Sequence, residues 1–311
     1  MSHLSAVPSP VEVCAWKWSP DAARARGRDA LAVELSTLAV SALVEEAELT
    51  PKPALVDRRG AGAHHDLDLA RLLRSARALQ SGFTAIAHTA WGLTPSLWLR
   101  EELGRIGRAM EHRMVAATDG SNAHRGAIWA LGLLVAAAAQ RHPDRHAAIV
   151  GATAADLARL PDRLAPRSLS HGEQARCRFG ATGARGEAQK AFPHAIRIGL
   201  PTLRAARRRG AREDCACLDA LMAIMASLDD TCLLHRGGAA ALAAAQAGAR
   251  AVLAAGGTAS PAGRIRLHRL HAELMAKWAS PGGSADLLAV TLFLDRLEGG
   301  ITVRSLTRGA F

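Results

Sequence analysis

Apolar residues recur every three or four positions along most of this chain. Leu31, Leu35, Leu38 and Ala42 fall at helical spacing, with Glu34, Glu45 and Glu46 elsewhere around the turn. Comparable stretches run near 68–88, 97–117, 124–141, 144–159, 185–200, 212–228, 238–256, 264–279 and 284–298. Alanine and leucine fill most of them, and both favour helix intrinsically. Alternating β-branched residues are nearly absent, Ile301-Thr302-Val303 being the exception. The pattern predicts an all-α fold. No repeat of fixed period and no linker divides it, so residues 26–311 read as one multi-helix domain. Pro8, Pro10 and Pro20 mark residues 1–25 as a loosely attached arm.

The breaks between helices carry the polar chemistry. Segments 50–68, 118–126, 180–193, 229–238 and 280–286 combine glycine with charged or amide residues. The longest lies within EAELTPKPALVDRRGAGAHHDLD, from Glu46 to Asp68. Pro51, Pro53, Gly60 and Gly62 oppose helix there, while Lys52, Arg58 and Arg59 mix with Asp57, Asp66, Asp68, His64 and His65. A long loop of both charge signs in an apolar chain is more often a site than a spacer. Its cations suit phosphates, and Asp66 and Asp68 suit Mg²⁺, which takes oxygen ligands. The sequence reads as an enzyme that handles a polyphosphate with a divalent metal. A helical bundle can gather such loops, and the helix N-termini beside them, into one pocket.

Each further segment has a plain structural explanation beside the functional one. Ser121 or Asn122 would cap the helix that follows, while Asn122, His124 and Arg125 would serve as phosphate donors. Gly180 to Glu187 is neither a P-loop nor a dinucleotide fingerprint, since no GKS/T signature and no preceding strand accompany it. Asp229 and Asp230 point about 100° apart on a helix, so only one of them faces a shared metal. Ser284 reads as an N-cap and Asp286 as a complement to the helix dipole.

Composition narrows the function. The net charge of +11 suits a polyanionic partner, but the chain has no Tyr and only 4% aromatic residues, leaving few platforms for stacked bases. Nucleic acid is set aside, because it leaves the loop acids unexplained. Scattered arginines such as Arg24, Arg26, Arg28 and the run Arg207 to Arg209 read as solvated faces. Cys14, Cys177, Cys215, Cys217 and Cys232 lack paired spacing and read as reduced, structural thiols. No signal peptide is visible, and the alanine-rich run 126–139 is too short to span a bilayer. A cytoplasmic protein with no membrane partner is expected, as a monomer or a homodimer.

Together these segments resemble the triphosphoribosyl-dephospho-CoA synthase family. TPKPALVDRRGAGAHHDLD resembles TPKPGLVD…GAHxDMD, ATDGSNAHRGAIWALGLL resembles TxGxNTHKGxxFxLG, and GARGEAQKAFP resembles GxRGExxxGFP; SPGGSADLLA is close to intact. The match runs in order from Glu46 to Leu294. Ala54 and Ala191 stand where the family has glycine, Ala123 where it has threonine and Arg125 where it has lysine.

The resemblance implies that ATP and 3′-dephospho-CoA give 2′-(5″-triphosphoribosyl)-3′-dephospho-CoA and free adenine. That product is passed to a transferase acting on the acyl-carrier subunit of malonate decarboxylase or citrate lyase; the chain, short and standing alone, leans to the malonate system. Displacement at ribose C1′ passes through an oxocarbenium-like centre. Glu111 or Glu187 is expected as base or cation stabiliser. Lys52, Arg58, His64, Asn122, His124, Arg125, Arg185, Arg236 and Ser284 are expected on substrate and phosphates, with Asp66, Asp68 and Asp230 on Mg²⁺. The alternative is an all-α, Mg²⁺-dependent hydrolase acting at ribose C1, like the ADP-ribosylglycohydrolases.

Overall fold

Helix α1 (Pro20–Glu48) turns its apolar stripe inward, with Leu35, Leu38, Ala39 and Ala42 at 0% exposure. The computed structural model describes residues 20–165 and 178–299. The expected arm lies outside them as far as residue 19, as do Cys14, Cys177 and Ile301 to Val303. The chain continues through α2 (Leu69–Ala78), α3 (Gln80–Ala90), α4 (Leu97–Ala117), α5 (Arg125–Arg141), α6 (Ala147–Arg159) and α7 (Gly183–Gln189). A π-helical turn, His194–Gly199, runs into α8 (Leu200–Arg208), followed by α9 (Glu213–Met225), α10 (Thr231–Ala254), α11 (Pro261–Ala276) and α12 (Gly282–Gly299). The fold is all-α, as the periodicity predicts; among the described residues the only extended pairing is a single bridge, Asp57 to Gly60. No helix among them is long and apolar enough to cross a membrane.

Two helices are apolar around most of their circumference, and they form the centre. Helix α5 buries almost every residue from Ala127 to Ala139, and α12 does so from Leu287 to Leu294. A helix that is apolar all round must be surrounded. Here α3, α4 and α6 pack on α5, α9 packs on α12, and α1 contacts both. Each fully buried leucine or phenylalanine contributes roughly 1.5–3 kcal/mol. The polar segments sit where these central helices begin.

Three helix boundaries differ from the periodicity, each for a local reason. The stretch 68–88 is two helices, because Leu79 bonds back to the Ala76 carbonyl and ends α2 without any breaker residue. The stretch 185–200 breaks where Ala191 and Phe192 adopt φ of 62° and 54°, immediately before Pro193, which disfavours helix in its predecessor. Helix α10 begins earlier than expected and kinks at Gly238, φ 64°. Arg207 is no solvated face: it pairs with Glu213 and Asp295, tying α8 to α12.

Ala54 also has positive φ, 55°. Both positions where the family pattern has glycine are thus left-handed here, a region that costs an L-residue about 1–2 kcal/mol. Ala54→Gly and Ala191→Gly should each raise stability by roughly 0.5–1 kcal/mol in urea unfolding, after the entropy that glycine adds to the unfolded chain. A loss of stability in both would contradict the assignment of strain.

Candidate active site

The loop between α1 and α2 is closed by its own charges. Lys52 is 1% exposed, and its ammonium donates to the Glu46 carbonyl and to Glu46 Oε1, both at 2.6 Å. Asp57 accepts the Lys52 N–H at 2.8 Å and Arg59 Nη2–H at 2.7 Å. Burial pushes the Asp57 carboxyl up, but the Arg59 and backbone donors overcome it and hold it below its ordinary value. Gly62 is sterically required, since a Cβ there would lie 2.5 Å from the Ala54 carbonyl oxygen. Arg58 faces outward and pairs with Glu48 at 3.1 Å.

From this loop, contacts run to three other segments. Ser121 Oγ donates to the Asp66 carbonyl at 2.9 Å. His64 bridges Arg236 Nη2, 3.2 Å from its Nδ1, and Ser280 Oγ, 2.9 Å from its Nε2. Arg236 also donates to the Ala63 carbonyl at 2.8 Å, and His65 stacks on Trp278 with ring centroids 4.2 Å apart. Gly183, at the start of α7, packs on Thr231 of α10, where a Cβ would stand 3.3 Å from Thr231 Cγ2. All five polar segments are thereby joined.

Asp230 locks two of them together. It caps α10, accepting the Cys232 and Leu233 N–H groups at 2.9 and 3.4 Å. It also accepts the Gly283 N–H, the Ser284 N–H and the Ser284 hydroxyl, at 3.2, 2.8 and 2.9 Å, so one carboxylate holds the N-termini of α10 and α12. Ser284, expected to cap its own helix, is itself capped by Asp230. Burial raises the Asp230 pKa against the pull of these donors. Asp229 is exposed, so the two adjacent acids do point apart.

The first turn of α5 is flanked by two carboxylates. From α4, Glu111 Oε2 meets Arg125 Nε at 3.1 Å, with both side chains partly exposed. From α12, the partly exposed Asp286 brings its carboxyl against the Gly126 backbone. A Cβ on Gly126 would fall 2.1 Å from Asp286 Oδ2, so only glycine fits that approach. Burial, with Glu46 and Asp230 nearby, pushes the Asp286 carboxyl well above its ordinary value. Asn122 Oδ1 accepts the Arg125 N–H at 3.2 Å. Behind the turn His124 is buried, its Nδ1 2.7 Å from Ser75 Oγ, and Nε2 has no partner among the described residues.

The remaining expected residues are placed as follows. Glu187 is buried with both oxygens engaged by His194, by its N–H and its Nδ1, each at 2.8 Å, and that bond raises the His194 pKa. Arg185 is exposed. Asp68 caps α2, accepting the Arg71 N–H at 2.8 Å. Asp66 is exposed, its Oδ1 3.8 Å from His64 Nδ1. Asp286, in sequence an ordinary partner of the helix dipole, also enters the site, as do Glu46 and His194, which only their position beside a motif marks. Glu45, Glu213 and Cys217 bring ligand atoms within 4.8 Å of one another, but outside these segments, and Arg296 and Arg207 already pair with the two acids.

Two expectations follow for stability. Asp230→Ala strands buried N–H groups on two helices and should cost roughly 3–5 kcal/mol in urea unfolding, Asp230→Asn less; a loss below about 1 kcal/mol for the alanine variant would remove the locking role. Burial and the Arg236 charge lower the His64 pKa from 6.5 to about 4, and burial and the Lys52 charge do the same for His124. Both are neutral in the fold but take a proton in the unfolded chain below about 6.5. Their contribution is therefore complete above pH 6.5 and lost as pH falls towards 4, by at most roughly 3 kcal/mol each. Urea midpoints across that range test this, with His64→Asn flattening the slope; a flat wild-type profile would contradict it.

A sequence model of the ATP:dephospho-CoA triphosphoribosyl transferase family matches residues 32–304. The 2-(5″-triphosphoribosyl)-3′-dephosphocoenzyme-A synthase of Klebsiella pneumoniae is 56% identical over 265 residues, covering 85% of this chain and 95% of that protein. A protein of Azotobacter vinelandii, named a probable synthase of the same kind, is 58% identical over 273 residues, covering 87% of this chain and 94% of its own length. No solved structure matches at a significant level. The chain belongs to the ATP:dephospho-CoA triphosphoribosyl transferase family.

Proposed function

We propose that this enzyme transfers the 5-triphosphoribosyl group of ATP to the 2′-hydroxyl of 3′-dephospho-CoA and releases adenine. The observation that carries the reading is the pair Glu111 and Asp286 on either side of one helix N-terminus, at the meeting of the five segments. In this reading the bond from ribose C1′ to adenine N9 breaks and one from C1′ to the 2′-oxygen forms. Adenine departs with the bonding electrons and needs a proton. Asp286, whose hold on a proton its surroundings strengthen, gives it. Glu111 lies beside the cationic centre and takes the proton of the attacking hydroxyl; exchange with solvent resets both acids. Lowering the barrier in this way is worth about 10²–10⁴-fold per group.

Arg125 and Arg185 remain available to grip the triphosphate, whereas Lys52, Arg236, His64, Ser284 and Asp230 shape the loops through their contacts. Mg²⁺ suits the oxygen donor of exposed Asp66, which would hold it together with phosphate oxygens. Asp68 and Asp230 fit less well, because their oxygens already accept N–H groups. When bound, Mg²⁺ would neutralise phosphate charge. We assign the product to prosthetic-group supply for the acyl-carrier subunit of malonate decarboxylase.

Mass spectrometry of a reaction with ATP, Mg²⁺ and 3′-dephospho-CoA should show adenine and, in equal amount, a CoA species heavier by one triphosphoribosyl unit. Glu111→Gln and Asp286→Asn should each lower kcat by about 10²–10⁴. Adenine without the adduct, at a rate indifferent to dephospho-CoA, would make the enzyme a hydrolase instead.

A further inference from the structure

Beside the α5 junction lies a concentration of charge that the motifs mark only at Arg185 and Trp129. Asp162, in the segment after α6, accepts Arg108 Nη1–H at 2.8 Å and stands 3.5 Å from Arg100 Nη1. The Asp162 side chain is 4% exposed and that of Arg100 9%. Arg185 comes close enough that its charge, after burial, helps to lower the Arg100 pKa against the pull of Asp162. Two guanidinium groups thus share one buried carboxylate, with exposed Arg185 adding its charge from beside the Ala184 carbonyl that Trp129 holds, an arrangement that costs free energy unless an anion joins it.

The cluster is held rigidly. The Arg100 guanidinium lies 4.9 Å from the centroid of the Trp129 ring, and the Trp129 indole N–H donates to the Ala184 carbonyl at 3.3 Å. Gly104 makes room, since a Cβ there would fall 2.1 Å from Asp162 Oδ2. Arg100 Nε is buried and has no partner among the described residues. A fixed guanidinium with an unfilled donor matches the geometry of phosphate oxygens. Glu111 follows Arg108 by one turn of α4, about 4.5 Å of rise, so a phosphate chain held here leads towards Arg125 and the reacting carbon.

We propose that Arg100, Arg108 and Arg185, backed by Trp129, form a polyphosphate subsite for one of the two nucleotide substrates. It rests on the transferase reading for the identity of those substrates, ATP with its triphosphate or dephospho-CoA with its diphosphate. Inorganic tripolyphosphate is the probe. It should raise the thermal midpoint of the wild-type protein, and Arg185→Ala and Arg108→Ala should abolish that shift. In steady-state assays both variants should raise KM for one nucleotide about tenfold or more and leave the other within about twofold. A rise for ATP assigns the triphosphate; a rise for dephospho-CoA assigns the diphosphate. Unchanged KM values together with an undiminished tripolyphosphate shift in both variants would overturn the subsite. If tripolyphosphate binding is lost as expected but the wild-type enzyme makes no triphosphoribosyl product, the transferase reading fails and the subsite stands.

Discussion

One buried carboxylate fixes the geometry on which the site depends. Asp230 collects donors from the first turns of α10 and α12, whose leading N–H groups would otherwise lack partners. A single anion also meets the positive ends of both helix dipoles. Apolar burial around α5 and α12 sets the coarse arrangement of the bundle, but burial is non-directional. The directional bonds to Asp230 set where α10 begins relative to α12. Arg236 lies on that first stretch of α10 and Ser280 just before α12, and His64 bridges the two.

The charged residues divide into those consumed by the fold and those left for a ligand. Lys52 is spent on Glu46, Arg59 on Asp57 and Arg236 on the Ala63 carbonyl and His64. These pairs hold a glycine- and proline-rich loop that has no helix of its own to stabilise it. Arg125 and Arg185 remain exposed, and Arg100 and Arg108 stand over one shared acid. The net charge of +11 is therefore less informative than its placement along one face of α4 and the starts of α5 and α7. Asp286, held near Glu46 and Asp230, supplies the contrasting element, a carboxyl whose pKa its surroundings push well above the ordinary value.

The all-α class was legible because alanine and leucine at helical spacing leave little alternative, and α4 and α5 begin and end close to their expected limits. The five segments were legible from their glycines and mixed charge. What each side chain does was not, because that depends on which helix end faces which. Lys52 and Arg185 look alike as cations in motif loops, yet one is buried against Glu46 and the other is exposed. Asp286 reads in sequence as an ordinary first-turn acid; only the packing of α12 against Gly126 shows that it meets the helix start where Arg125 pairs with Glu111. Arg100, Arg108 and Asp162 belong to no motif, and Asp162 is separated by 54 positions from the arginine that binds it most closely. The switch to positive φ at Ala54 and Ala191 was foreshadowed by the family glycines, whose purpose is visible only in the backbone.

In the proposed mechanism the five segments form one site, with ribose C1′ between Glu111 and Asp286. A crystal structure with ATP and the 2′-deoxy analogue of dephospho-CoA, which lacks the attacking hydroxyl, tests it most directly. The account predicts the ATP ribose at the first turn of α5, with adenine towards Asp286 and phosphates towards Arg125 and Arg185. ATP bound away from that turn, for example in the cleft beside Glu45, Glu213 and Arg296, with Glu111 and Asp286 untouched, would contradict it.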